Sequence, residues 1–192
     1  MHTQIISFFE NFISLNKEDI ALVKSVGALK HVSKNEFLLT EGKPCSFVAF
    51  INKGLFRAFY TVDGQEYSKQ FFFENGFCSD YSSFLTQRNA DTYLQAIEDS
   101  TVLILQKEEI DMLYEKVPKF VYFGKALAES LFIKISDIKT SFILNTPEER
   151  YSNFVKERPK VVQRVPQYMI ASYLGITPEA LSRIRKRLTK KK

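Results

Sequence analysis

Residues 167 to 188, QYMIASYLGITPEALSRIRKRL, constrain the fold more than any other stretch of the chain. Ala171 is small where two crossing helices would touch. Gly175 falls where the turn between them needs a left-handed backbone, which glycine adopts at little cost. Ile170, Leu174, Ile176, Leu181 and Ile184 are spaced to pin the two helices together. Thr177 suits an N-cap and Pro178 the first helical position, so a second helix is expected to start there. Its outward face carries Glu179, Ser182, Arg183, Lys186 and Arg187, side chains able to read base edges or hold phosphates. The pattern is a helix-turn-helix. A short helical hairpin with a solvated basic face is the plainer alternative.

Charge separates along the chain. From Arg158 to Lys192 there are ten Lys/Arg and one acid, Glu179, a balance of +9. The other 157 residues hold 17 bases and 21 acids, a balance of −4. Such asymmetry suits a nucleic-acid-binding end on an acidic body, with binding that weakens steeply as salt rises. Lys190, Lys191 and Lys192 by themselves suit a solubilising tail.

Hydrophobic residues make up 45% of the chain and include 18 Phe, enough for a substantial core. No run reaches the ~20 apolar residues that span a bilayer. The start, MHTQIISFFENF, reads as an amphipathic helix and not a signal peptide, so a cytoplasmic protein that does not engage a membrane is expected. There Cys45 and Cys78 are expected to be reduced and partly buried, a disulfide being the lesser alternative. With His2 and His31 as the only histidines, no metal ligand set can be assembled. An enzyme is not expected: His31 alone cannot furnish a cupin-like site, and no triad, GxGxxG or P-loop is present.

Helical spacing covers residues 3 to 26, with a break near Leu15-Asn16. From 29 to 105, short β-branched and aromatic runs alternate with turns: Glu36–Leu39, Phe47–Asn52, Leu55–Thr61, Tyr67–Phe73, Asp91–Ala96 and Thr101–Gln106. Gly64 and Gly76 suit tight turns between strands. This spacing predicts an antiparallel sandwich or barrel, with room for one short helix near Tyr81–Leu85. Lys107–Glu115 is expected to be helical, and after Pro118 a longer helix runs from Lys119 to about Phe142. Phe120, Phe123, Leu127, Leu131, Ile135, Ile138 and Phe142 recur along it at three- and four-residue steps. That stripe packs on its own β domain, forms a coiled-coil-like seam with a second copy, or does both. Thr146 and Pro147 start a further helix to about Arg158, and an extended Val161–Val165 segment leads into the helix-turn-helix.

This order of elements resembles the Crp/Fnr family of transcription regulators, most closely at Val165–Leu188 and less so at EGKPCSFVAFINKGLFRAFY. The resemblance implies an α+β fold. It comprises an antiparallel β-roll of double-stranded β-helix or jelly-roll type with flanking helices (1–117), a long dimerisation helix (118–145) and a C-terminal helix-turn-helix (146–192). The last is winged-helix-like, its wing expected to be truncated because Leu188 is followed only by Thr-Lys-Lys-Lys. A homodimer acting on double-stranded DNA follows, with RNA polymerase as a further partner. Glu179 and Arg183 match base-contacting positions, Thr177 and Lys186 phosphate-contacting ones, and Gln167 a contact at the start of the first helix. Pro178 departs from the pattern where some members carry a base-reading arginine, leaving Ser182 and Arg187 to compensate.

The effector pocket departs further. Cyclic-AMP-binding members carry Gly-Glu and then Arg-Ser across a short loop. Here Ser79-Asp80, followed by Tyr81, and Ala90-Asp91, followed by Thr92, occupy those places. Asp91 would repel a cyclic phosphate, and Arg88 lies in the loop. No cofactor is expected, and neither cyclic AMP nor cyclic GMP in the usual manner. Another small-molecule effector, or none, stays open. The competing function is a ligand-binding module whose basic C-terminus docks on an acidic protein partner.

Overall fold

The computed structural model describes residues 2–190. Lys191 and Lys192 of the basic tail therefore lie outside the described residues, as does Met1. Two compact units form: residues up to 58 with 71–129, and residues 59–70 with 130 onward.

The first unit opens with α1 (Thr3–Glu10) and α2 (Lys17–Ser25). The strands follow as β1 (Ala28–Val32), β2 (Phe37–Leu39), β3 (Phe47–Lys53), β4 (Leu55–Val62), β5 (Gln65–Phe73) and β6 (Phe77–Cys78). A short helix, α3 (Tyr81–Thr86), separates them from β7 (Tyr93–Ala96) and β8 (Ser100–Gln106). Among the described residues they build two four-stranded sheets, ordered β1-β8-β3-β6 and β2-β7-β4-β5. The outer ends of β4 and β5, with the turn between them, belong to the second unit. Strands β1 and β6 are additions to the sequence expectation. One is largely exposed and the other only two residues long, so neither leaves a clear alternating signature.

The period of two along β3 and β8 explains how one sheet serves two cores. Ala49, Ile51 and Val102 face the interior of the roll, with Phe56, Ala58, Leu94 and Ala96. Their neighbours Phe50, Leu103 and Leu105 face the opposite side and meet Ile5, Phe9, Val23 and Leu113. Phe120 and Phe123 complete that second core. Aromatic rings dominate it, with Phe9 about edge-on to Phe120 and Phe123 at 5.0 Å in each case. The Lys119 ammonium pairs with Asp19, which also closes the capping box at Asn16. Those contacts lower the Asp19 carboxyl below its ordinary range, the Lys119 hydrogen bond contributing most.

Gly54 shows how tightly the β3–β4 connection is made. Its φ is +112°, and a Cβ there would stand 2.0 Å from Ser100 Oγ. At the Asn75-Gly76 turn it is Asn75, not the glycine, that takes the left-handed conformation (φ 58°). Asparagine tolerates that region better than most side chains.

Two more helices, α4 (Lys107–Lys116) and α5 (Lys119–Leu144), continue the chain. As far as Glu129, α5 belongs to the first unit; beyond it, to the second. There α6 (Pro147–Glu157), α7 (Pro159–Arg164), α8 (Gln167–Tyr173) and α9 (Pro178–Lys190) follow. The capping box of Thr146 and Glu149 starts α6 as expected. The Val161–Val165 segment, expected to be extended, is instead mostly helix α7. Pro159 at its first turn supplies a helical φ, and Val161 is buried.

Candidate nucleic-acid interface

Helices α8 and α9 are joined by a turn at 174–177. Gly175 has φ +67°, and a Cβ there would lie 3.0 Å from the Phe142 ring of α5. The glycine thus serves a left-handed turn and a close approach at once. Ile176 N–H donates to Ala171 O at 3.0 Å, so the turn closes on the small residue. Thr177 caps α9 by accepting from Ala180 N–H at 3.2 Å. Met169, Ile170, Ala171, Leu174, Leu181 and Ile184 are buried. Ile176, expected among the pinning residues, is half-buried.

The opposite face of α9 is polar and open. Thr177, Glu179, Ser182, Arg183, Lys186 and Arg187 are all exposed, as is Gln167 at the start of α8. Glu179 is held below the ordinary carboxylate range. Its own backbone amide contributes most, then the Thr177 hydroxyl, with the Arg183 charge adding to them. Glu179 is therefore a poised acceptor at the helix start, with a cation one turn on. Arg187 has a partner within the unit, Glu148 of α6 at 3.4 Å.

Two contacts that the sequence does not announce hold this pair of helices. Ser172 Oγ donates to Glu66 O at 3.1 Å and accepts from Ser68 N–H at 2.9 Å. One hydroxyl thus brackets the edge strand β5, across more than a hundred residues of chain. Arg150 donates to Asn145 O and Leu174 O, at 2.8 and 3.1 Å, while its guanidinium lies over the Phe142 ring. No periodicity or motif marks such long-range pairings.

The stripe on α5 divides. Phe120 and Phe123 are buried in the first unit's core, and Leu127 packs against it. Leu131 and Ile138 are half-buried and Ile135 is exposed. Further apolar side chains stand free around them, including Phe132 (74% exposed) and Ile143 (73%).

In the first unit, residues 79–92 form a compact cassette. Ser79 Oγ donates to Phe47 O at 2.9 Å. Asp80 is buried; it caps α3 through Ser83 N–H and accepts a short hydrogen bond from the Thr92 hydroxyl. Tyr81 stacks on Phe84, Ala90 is buried, and Asp91 points its residue surface to solvent. Gly42 N–H donates to Ala90 O and Ala90 N–H to Lys43 O, both at 2.9 Å. Cys45 and Cys78 are free thiols, fully buried rather than partly so. Burial, with the neighbouring Cys45 adding to it, pushes the Cys78 thiol well up.

Residues 29–117 match the family of cyclic nucleotide-binding domains. No curated protein matches the chain. Among solved structures it is similar to FixK2 from Bradyrhizobium japonicum (18% identity, 86% of each chain, TM-score 0.77). It is also similar to a structure described as a transcriptional regulator of the Crp/Fnr family from Eubacterium rectale (16% identity, 96% of this chain and 88% of that one, TM-score 0.71). A third is the c-di-GMP responsive global regulator CLP of Xanthomonas campestris (12% identity, 92% of this chain and 93% of that one, TM-score 0.73). Fold and matched domain define the class: a cyclic nucleotide-binding-type β domain followed by a long helix and a helix-turn-helix. The chain shares the fold of these structures. No helix among the described residues is long and apolar enough to cross a membrane.

Proposed function

We propose that this protein is a transcription regulator that binds double-stranded DNA as a homodimer on an inverted repeat. The observation that carries the reading is the two-sidedness of α9. Leu181 and Ile184 anchor one side, while Thr177, Glu179, Ser182, Arg183 and Lys186 stand together on the other. A helix so anchored can lie in a major groove, Arg183 and Glu179 meeting base edges while Thr177 and Lys186 hold phosphates. Gln167 adds a contact from α8. Arg187 joins them by exchanging Glu148 for a phosphate.

The second copy pairs along α5, whose exposed Phe132, Ile135 and Ile143 offer an apolar seam. Two recognition helices would then be spaced one helical turn of DNA apart, ~34 Å. Selection of bound duplexes from a random pool tests this, and an inverted repeat is the expected motif. Enrichment of an asymmetric site bound by one protomer would overturn the dimer.

The β domain does not take cyclic AMP or cyclic GMP in the usual manner. Asp80 is engaged by Thr92 and Ser83, and Asp91 places a carboxylate where a cyclic phosphate would require a cation. Calorimetric titration is expected to give no heat of binding with either nucleotide. Micromolar binding would refute this.

A further inference from the structure

The two adjacent acids in the first turn of α6 are used differently. Glu149 is spent within its own helix. Its carboxylate accepts from Thr146 N–H and from the Thr146 hydroxyl, both at 2.8 Å. Glu148 reaches out of the helix, and its Oε2 lies 3.4 Å from Arg187 Nη1 of α9. Two features of the second unit place it there. A carboxylate in the first turn is favoured by the positive end of the helix macrodipole. Two residues on, Arg150 ties the same turn to the Leu174 carbonyl at 3.1 Å, beside the left-handed Gly175 that joins α8 to α9. The acidic end of α6 is thereby fixed to the helix-turn-helix. The Glu148 side chain is the more covered of the pair, 27% exposed against 63% for Arg187.

Arg187 stands one turn beyond Arg183 and next to Lys186, and all three are exposed on α9. To a guanidinium, a carboxylate offers the same charge sign and the same paired oxygen acceptors as a backbone phosphate. An acid held against one cation of a DNA-facing row therefore competes with any duplex for that cation.

We infer that Glu148 is a brake on sequence-independent DNA binding: it holds the place of a phosphate on Arg187, and a duplex must displace it before Arg187 grips the backbone. The inference rests on the DNA-reading role proposed for α9. With Glu148 present, Arg187 meets DNA as half of a neutral pair. Without it, Arg187 meets DNA as an unopposed cation, and one more phosphate is neutralised. Phosphate contacts carry no sequence information, so the brake acts on every duplex alike. The choice of site stays with Arg183 and Glu179.

The test is a double-mutant cycle in the full chain: wild type, Glu148→Gln, Arg187→Gln and the double variant. Each is titrated against the selected duplex and a scrambled one over a series of salt concentrations. Glu148→Gln is expected to tighten binding to both duplexes about threefold, the scale of an exposed ion pair given up on binding. Its plot of log affinity against log salt should steepen by about 0.9, the mark of one added phosphate contact. In the Arg187→Gln background the same change should add little to either quantity, because the brake acts through Arg187. The capping box of Thr146 and Glu149 is untouched, so the urea midpoint of the second unit should stay at the wild-type value. An equal gain in both backgrounds would overturn the brake, since removal of any nearby acid would then account for it. No gain in either background, with the preference for the selected duplex intact, would overturn the brake alone. Absence of that preference in the wild type would overturn the DNA-reading role and the brake with it.

Discussion

The reading head at α8–α9 and the cassette at 79–92 are built from similar residues but dispose of their polar groups in opposite ways. In the cassette, Asp80, Ser83 and Thr92 are buried and bonded to one another, and Ser79 is bonded to the Phe47 carbonyl. On α9, Thr177 and Glu179 satisfy the helix start and leave Ser182, Arg183 and Lys186 to solvent. A polar network closed on itself stabilises a fold, whereas an exposed row on an anchored helix is available to a partner. The difference teaches that residue type alone does not mark a binding site. What marks it is where the hydrogen-bonding capacity is left over.

Four substitutions or conditions probe this contrast, beginning with the largest effect. Leu181→Ala removes a side chain that is 1% exposed under the reading face. Loss of about 2–5 kcal/mol is expected from the cavity, with DNA binding lost together with the second unit's unfolding transition. Urea unfolding followed by tyrosine fluorescence measures it. Thr92→Val strips a donor from the buried Asp80 carboxylate, and about 2 kcal/mol of stability should go with it. Because the cassette is structural in this account, calorimetry should show the cost while DNA affinity stays unchanged. An effect on DNA affinity as large as that on stability would blur the contrast.

Thr177→Ala takes away the cap of α9, for about 1 kcal/mol, read by chemical denaturation. Any larger loss in DNA affinity would measure the phosphate contact proposed for Thr177. The smallest effect is a pH dependence at Asp19. Its folded pKa is lowered, chiefly by Lys119, so its contribution is fully present above the ordinary carboxylate pKa and disappears as pH falls through the lowered value. Lys119→Met should flatten that acid limb, as acid titration of stability will show.

Much of the reading head was legible because its determinants are local. Ala171, Gly175, Thr177 and Pro178 each specify a feature within a turn or two of themselves, and the burial of Ile170, Leu174, Leu181 and Ile184 follows their spacing. The long helix was legible too, from Phe120 to Phe142, though its division between two units was not. Nothing in the spacing of Phe123 and Ile135 says that one is covered and the other open. Strand β1 was missed because only Val32 in it is buried, which leaves no alternation to see. The helix at Pro159–Arg164 replaces the extended segment expected at Val161–Val165, because Pro159 supplies a helical φ at its first turn and Val161 is buried. The Ser172 bracket and the Glu148–Arg187 pair lie beyond local reasoning, since their partners come together only when the chain is folded.

The central claim is that Arg183 reads bases from an anchored α9. The direct measurement is the affinity of wild-type protein and Arg183→Ala for the selected duplex and for a scrambled duplex, at one fixed salt concentration. The account predicts that the variant keeps its fold and loses about 1–3 kcal/mol on the selected duplex alone, so that its preference between the two collapses. An equal loss on both duplexes would make Arg183 a backbone contact, and no loss on either would contradict the claim.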